Sequence, residues 1–166
     1  SMFLKFYEMA RPDAVVCAFD AGRPAFRMEA LEQYKAQRPP MPPELAAQIT
    51  PVHAAVTGLG WPLLMVEGVE ADDVIGALAH QASTQGWQVV VSTGDKDMAQ
   101  LVNAQVTLVN TMTSETLDSA GVQEKFGVPP ERIIDFLTLT GDKVDNVPGV
   151  DGCGPKTAAK WLAEHG

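Results

Sequence analysis

One feature constrains this chain more than any other: a short apolar run followed at once by carboxylates, repeated three times. Ala14-Val15-Val16-Cys17-Ala18-Phe19 ends on Asp20. Pro62-Leu63-Leu64-Met65-Val66 leads through Gly68 into Glu70-Ala71-Asp72-Asp73. Gly86-Trp87-Gln88-Val89-Val90-Val91-Ser92 runs into Thr93-Gly94-Asp95-Lys96-Asp97. The runs read as strands, the first as one buried on both faces of a parallel sheet. Val106-Thr107-Leu108-Val109 reads as a fourth. Helical spacing separates them at 3–9, 25–37 and 44–59, after Asp73, and at 98–102, with Pro51 expected to kink or break the third. This alternation predicts an α/β fold with a mostly parallel central sheet flanked by helices. Loops that leave such strands line one sheet edge, where open α/β sheets bind ligands.

Each acidic loop has an ordinary explanation. Asp20 suits a turn, the Glu70 group suits the first turn of a helix, and Asp97 suits an N-cap. Three such loops on one edge are harder to explain as caps, because clustered carboxylates repel and call for a cation. Hard oxygen donors suit Mg²⁺. The net charge of −9 argues against nucleic acid at face value. Setting aside the eight acids assigned below to one site leaves 13 acids against 12 basic residues, so the acidity is concentrated. The segment 25–37 offsets it locally with Arg27, Lys35 and nearby Arg38, interleaved with Phe26 and Tyr34. Such a segment suits contact with a phosphate backbone and bases.

At 166 residues the chain suffices for one domain with a core and a small appendage. No stretch has the length of a membrane span, and no leader opens it. Cys17 and Cys153 lack metal-ligand spacing, so a reducing, cytoplasmic setting is expected. From Ser119 the character changes. Helices are predicted at 120–126 and from Pro129 to about Thr140. The loop Gly141-Asp142-Lys143-Val144-Asp145-Asn146-Val147-Pro148 adds two carboxylates. Gly149, Gly152 and Gly154 allow a tight hairpin, and Lys156 and Thr157 open a final helix. This arrangement suits phosphate in principle, although it is not a P-loop.

The stretches Val69–Ala79, Ser92–Leu101 and Gly141–Val150, with Phe19-Asp20-Ala21, Phe26-Arg27, Tyr34-Lys35 and Arg38-Pro39-Pro40-Met41-Pro42, resemble the 5′-nuclease domain of bacterial DNA polymerase I, in the flap endonuclease family. The resemblance runs in one order from about Phe3 to the end. It implies a resolvase-like (PIN-like) core at 1–117, a helical arch at about 23–43, and a helix-hairpin-helix subdomain at 118–166. It implies two Mg²⁺ (or Mn²⁺) ions held by Asp20, Glu70, Asp72, Asp73, Asp95, Asp97, Asp142 and Asp145. Asp20, Glu70, Asp72 and Asp95 would be direct ligands, and the other four would act on the second ion or through water. By the same resemblance Lys35 and Arg38 act on the scissile phosphate, and Arg27 and Tyr34 bind substrate. Gly149, Gly152, Gly154, Lys156 and Thr157 grip duplex phosphates, with K⁺ at the hairpin.

The implied activity is structure-specific hydrolysis of DNA at 5′ flaps, 5′ ends or nicks, in primer removal and repair, by a nucleoid-associated protein. A covalently linked polymerase is implied in the parent protein, and no membrane. The family also has an N-terminal strand with a further ligand Asp, and this chain starts after it. The alternative is therefore a catalytically impaired form that binds flaps or junctions without cutting. A related metal-dependent RNase is a third reading, and the hairpin, which serves duplex DNA, argues against it.

Overall fold

The computed structural model describes residues 2–22 and 24–166. Ser1 and Arg23, where the expected core and the expected arch begin, lie outside the described residues. The chain folds as two compact units. One is Arg11–Ile75; the other joins the residues up to Ala10 with Gly76–Gly166.

In the unit Arg11–Ile75, β1 (Cys17–Ala18) and β2 (Leu63–Leu64) pair in parallel, Cys17 opposite Leu63 and Ala18 opposite Leu64. Flanking bonds from Cys17 N–H to Pro62 O and from Phe19 N–H to Leu64 O, both 2.9 Å, extend the ladder by one step each way. The predicted strand at 14–19 is thus reduced to Cys17 and Ala18. Its residues are half-buried rather than buried on both faces, because a two-stranded ribbon this short offers too little surface to cover them. Helix α2 (Ala25–Ala30) stops well before residue 37, where the sequence spacing carried it. Leu31 turns extended, and consecutive turns carry the chain to Arg38, with Tyr34 N–H on Leu31 O and Arg38 N–H on Lys35 O. Lys35 sits in the left-handed region at φ 53°. Helix α3 (Pro43–Gly58) runs through Pro51 without a break. Val56 is its buried residue, and Phe19 meets His53 edge to face at 4.5 Å.

Helix α4 (Ala71–Thr84) starts in this unit and ends in the other. There β3 (Val89–Ser92) and β4 (Val106–Asn110) pair in parallel, and β5 (Glu115–Leu117) adds antiparallel to β4. β5 is a strand the spacing did not reveal, since Glu115-Thr116-Leu117 is too short and polar to show a pattern. Val91, Val106 and Leu108 are buried on one face of the sheet and Val109 on the other, and Met98, Ala99 and Val102 are buried with them. The last three belong to a 3₁₀ stretch, Lys96–Leu101, and its C-cap, where an α-helix was expected. Helix α5 (Ser119–Phe126) is capped by Asp118, which accepts from Gly121 N–H, and ends on left-handed Gly127. A 3₁₀ turn, Pro130–Arg132, precedes α6 (Ile133–Thr140), and α7 (Pro155–His165) closes the chain. Val122, Ile133, Phe136, Cys153 and Ala158 are buried in this helical part.

The loop between α6 and α7 crosses itself closely. A Cβ on Gly141 (φ +68°) would lie 2.4 Å from Gly149 N, so no side chain fits there. Asp142 and Val147 exchange both backbone bonds, 2.9 and 2.7 Å.

Candidate nuclease site

Within Arg11–Ile75 the start of α4 gathers a dense polar group. Asp73 occupies the third helical position, and its Oδ2 accepts the Glu70 N–H at 2.9 Å, as in a capping box. Asp20 leaves the end of β1, and its Oδ1 accepts the Ala71 N–H at 2.7 Å, so it caps the same helix from a distance. The cap reading of this cluster is therefore real in the backbone. The side chains do more. Arg27 sends Nη1 to Asp73 Oδ2 and Nη2 to Asp73 Oδ1, both at 2.7 Å, in a bidentate fork. Lys35 Nζ donates to Glu70 Oε1 at 2.5 Å, and Tyr34 Oη donates to Glu70 Oε2 at 2.8 Å. Glu70 is buried, at 7% exposure, and Arg27 Nη1 is also 3.6 Å from its Oε2. The Arg27 fork holds the Asp73 carboxyl below its usual range, and Asp73 raises Arg27 in turn. Burial, followed by the hydrogen bond to Glu70, raises the Tyr34 phenol. Asp72 and Arg38 are exposed.

Within the other unit, the loop after β3 gathers a second group. Asp95, not Asp97, is the N-cap of the 3₁₀ stretch: its Oδ1 accepts the Asp97 N–H at 2.9 Å. The expectation that Asp97 caps is corrected by two residues, because Thr93 Oγ1 holds the Asp95 N–H and sets the turn early. Asp97 turns inward instead. Its Oδ1 is buried without a hydrogen-bond partner. Burial, then repulsion from Asp95, Asp142 and Asp145 outweighing the attraction of Lys96, pushes its carboxyl up to about 6. Lys96 Nζ is 3.3 Å from Asp142 Oδ1 and 4.0 Å from Asp97 Oδ1. Asp142 also accepts the Val144 N–H at 3.0 Å, which fixes the loop that carries Asp145.

Sequence reasoning passed over Lys96 as a functional residue. Its signal was its position between two carboxylates in Gly94-Asp95-Lys96-Asp97. Among the described residues, no three His, Cys, Asp or Glu side chains form a metal-holding group. The donor chemistry nevertheless fits a hard cation. An orphaned carboxylate oxygen and the mutual repulsion around Asp97 are what a divalent ion relieves.

In the hairpin, Gly149 serves chain crossing, since a Cβ there would meet Thr140 and Gly141 backbone at 2.4–2.6 Å. Gly152 has φ +75°, and Gly154 is the N-cap of α7 with open space around it. Lys156 and Thr157 fall in the first turn of α7.

Residues 1–127 match the family described as "5′-3′ exonuclease, N-terminal resolvase-like domain", and residues 128–166 match "5′-3′ exonuclease, C-terminal SAM fold". The chain belongs to the 5′-3′ exonuclease family, with a resolvase-like N-terminal domain and a SAM-like C-terminal part. It is 63% identical over 155 residues to DNA polymerase I of Pseudomonas aeruginosa, covering 93% of this chain and 17% of that protein. It is 42% identical over 165 residues to the 5′-3′ exonuclease of Aquifex aeolicus, covering 99% of this chain and 57% of that one. Among solved structures, T5 5′-exonuclease with bound zinc ions superposes with a TM-score of 0.83 at 23% identity, covering 98% of this chain and 64% of that one. The catalytic core of Rad2 in complex with DNA substrate gives 0.61 at 20% identity, with coverages of 98% and 51%. These two share the fold. No helix among the described residues is long and apolar enough to cross a membrane.

Proposed function

We propose that this chain is the metal-dependent, structure-specific 5′-nuclease part of a DNA polymerase I. It would act in the bacterial cytoplasm on nucleoid DNA with 5′ flaps, 5′ ends or nicks, in primer removal and repair. The observation that carries the reading is Asp97: a buried carboxylate oxygen with no hydrogen-bond partner, beside Asp95, Asp142 and Asp145. A fold keeps so unfavourable a group where a cation is to be held. In this reading Asp20, Glu70, Asp72 and Asp95 are direct ligands of Mg²⁺ or Mn²⁺, and Asp97, Asp142 and Asp145 serve the second ion or act through water. When bound, two such ions activate the attacking water and stabilise the leaving oxygen of a phosphodiester.

The chain's own residues supply the rest. Lys35 and Arg38 neutralise charge at the scissile phosphate, and Tyr34 stacks on a neighbouring base. Lys35 stands ready in a left-handed backbone, a strained conformation of the kind found at functional sites. The hairpin with Gly152, Gly154, Lys156 and Thr157 holds duplex phosphates at the start of α7, where helix amides favour anions, with K⁺ in the loop. We assign 1–117 to the nuclease core and 118–166 to this DNA-gripping part.

The test is cleavage of a 5′-labelled flap duplex with Mg²⁺ and with chelator. Turnover that requires Mg²⁺ or Mn²⁺ and releases the flap supports the reading. Tight flap binding with no turnover in either metal replaces it with a binding module, and preferential cutting of single-stranded RNA replaces it with an RNase. Lys35→Ala should lower the cleavage rate far more than duplex affinity; equal loss of both would contradict its role at the phosphate.

A further inference from the structure

Of the acids expected to hold metal, Asp73 stands apart, because its carboxylate is already committed. Oδ1 accepts from Arg27 Nη2, and Oδ2 accepts both Arg27 Nη1 and the Glu70 N–H. The two arginine bonds are short and parallel, the geometry in which guanidinium and carboxylate discriminate best. Arg27 also lies over the Phe26 ring at 4.6 Å, which fixes its plane. Glu70 differs. Its hydrogen bonds come from Lys35 and Tyr34, each by a single bond to a separate oxygen and both from the turns that follow α2, with Arg27 Nη1 a looser ion-pair neighbour 3.6 Å from Oε2. A ligand can take over one of those oxygens by displacing one donor. At Asp73 it would have to split a bidentate fork, by way of Oδ1, or displace both the other half of the fork and the amide that caps α4, by way of Oδ2.

We propose that Asp73 is a positioning residue and not a metal ligand: through Arg27 it fixes the base of the segment that carries Tyr34, Lys35 and Arg38, while Glu70 beside it is the oxygen donor open to exchange. The inference rests on the nuclease reading above and changes the role of one residue in it. Arg27 is then a strut rather than a substrate contact. Its charge is directed chiefly at Asp73, with Glu70 Oε2 further off at 3.6 Å, and its place in α2 sets where the following turns begin. Lys35 reaches Glu70 from those turns, eight residues on. Losing the Arg27–Asp73 fork should free the segment without removing any donor from the cation.

The experiment uses the 166-residue chain and five variants, Asp73→Asn, Arg27→Ala, their double, Glu70→Gln and Asp73→Glu. Asparagine keeps an acceptor for the Glu70 N–H, so α4 retains its cap while the charged fork is lost. Mn²⁺ binding is followed by titration calorimetry and by the loss of free Mn²⁺ signal in electron paramagnetic resonance. Limited trypsin cleavage after Lys35, read by mass spectrometry without metal, reports how firmly the segment is held. The expected result is Mn²⁺ affinity within about two-fold of wild type for Asp73→Asn, against a loss of at least about ten-fold for Glu70→Gln. Cleavage after Lys35 should speed up by a similar factor in Asp73→Asn, Arg27→Ala and the double. That equality is the signature of one shared contact, which a purely structural cap would not produce. kcat at saturating Mg²⁺ should fall alike in all three, and Asp73→Glu, which can both cap and reach Arg27, should restore it.

Loss of Mn²⁺ by Asp73→Asn to the extent seen in Glu70→Gln would overturn the proposal, as would additive effects in the double variant. Absence of Mn²⁺ binding by the wild type would instead overturn the nuclease reading.

Discussion

The two acidic regions look alike in the sequence and behave oppositely in the fold. At the start of α4, Asp20, Glu70 and Asp73 are each satisfied: two hold helix amides, and two hold Arg27, Lys35 and Tyr34. After β3, the carboxylates around Asp97 repel one another, and Lys96 is the one cation that the structure sets against Asp97 among the described residues. Their surroundings differ too. The described part of Arg11–Ile75 buries Val56 and little else that is apolar, so charge pairing and caps carry much of its local order. The other unit rests on Val91, Val106, Leu108, Val109, Ile133, Phe136 and their neighbours. A site on a firm apolar platform can tolerate repulsion. One on a thin platform has to neutralise its own charge.

The contrast can be broken by experiment. The largest effect is on catalysis, where the two regions should agree. Asp95→Asn and Glu70→Gln should each lower flap cleavage on the order of 10³-fold while duplex binding survives, measured by single-turnover kinetics beside anisotropy. A variant that cuts within ten-fold of wild type would remove its region from the reaction.

Stability comes next, and here the regions should part. Glu70→Ala leaves Lys35 and Tyr34 without this acceptor, so metal-free stability should drop by about 2 kcal/mol in urea unfolding. Asp97→Asn removes a charge whose repulsion Lys96, 4.0 Å away, offsets only in part, so the same assay should show a gain of about 1 kcal/mol, with activity lost. If both substitutions destabilise, Asp97 has a partner that the contrast denies it. The smallest effect serves as a control. Lys125 pairs with Glu115 at 2.8 Å on the surface, with both side chains 40% exposed, and Lys125→Ala should change stability by no more than about 0.5 kcal/mol.

Much of this was legible from the residues. The β4 run, α1 (Met2–Ala10), α3, α5 and α7 fall close to where the sequence put them, and β3 keeps the last four residues of the run expected at 86–92, because apolar spacing and flanking Gly or Pro act locally. The main departure has a tertiary cause. The helix expected at 25–37 gives way at Leu31, where Arg27, Tyr34 and Lys35 all reach toward the start of α4. Three tertiary partners outweigh a helix propensity worth only tenths of a kcal/mol per residue. Pro51 was expected to kink or break α3, and it is accommodated within a helix that is continuous from Pro43 to Gly58.

The sequence alone determined the family, the α/β class, the acidic residues and the basic segment that accompanies them, because each is a matter of residue type at a given spacing. Residue type and spacing could not rank the acids, and the division into direct and outer ligands came from the resemblance alone. Glu70, Asp72 and Asp73 are all carboxylates, and each could cap a helix or hold an ion. Tertiary structure separated them by delivering Arg27 to Asp73 from 46 residues away and Lys35 to Glu70 from 35, while Asp97 Oδ1 turned inward without a hydrogen-bond partner. Hydrogen-bond geometry and desolvation are properties of places in space, and only the folded chain has places.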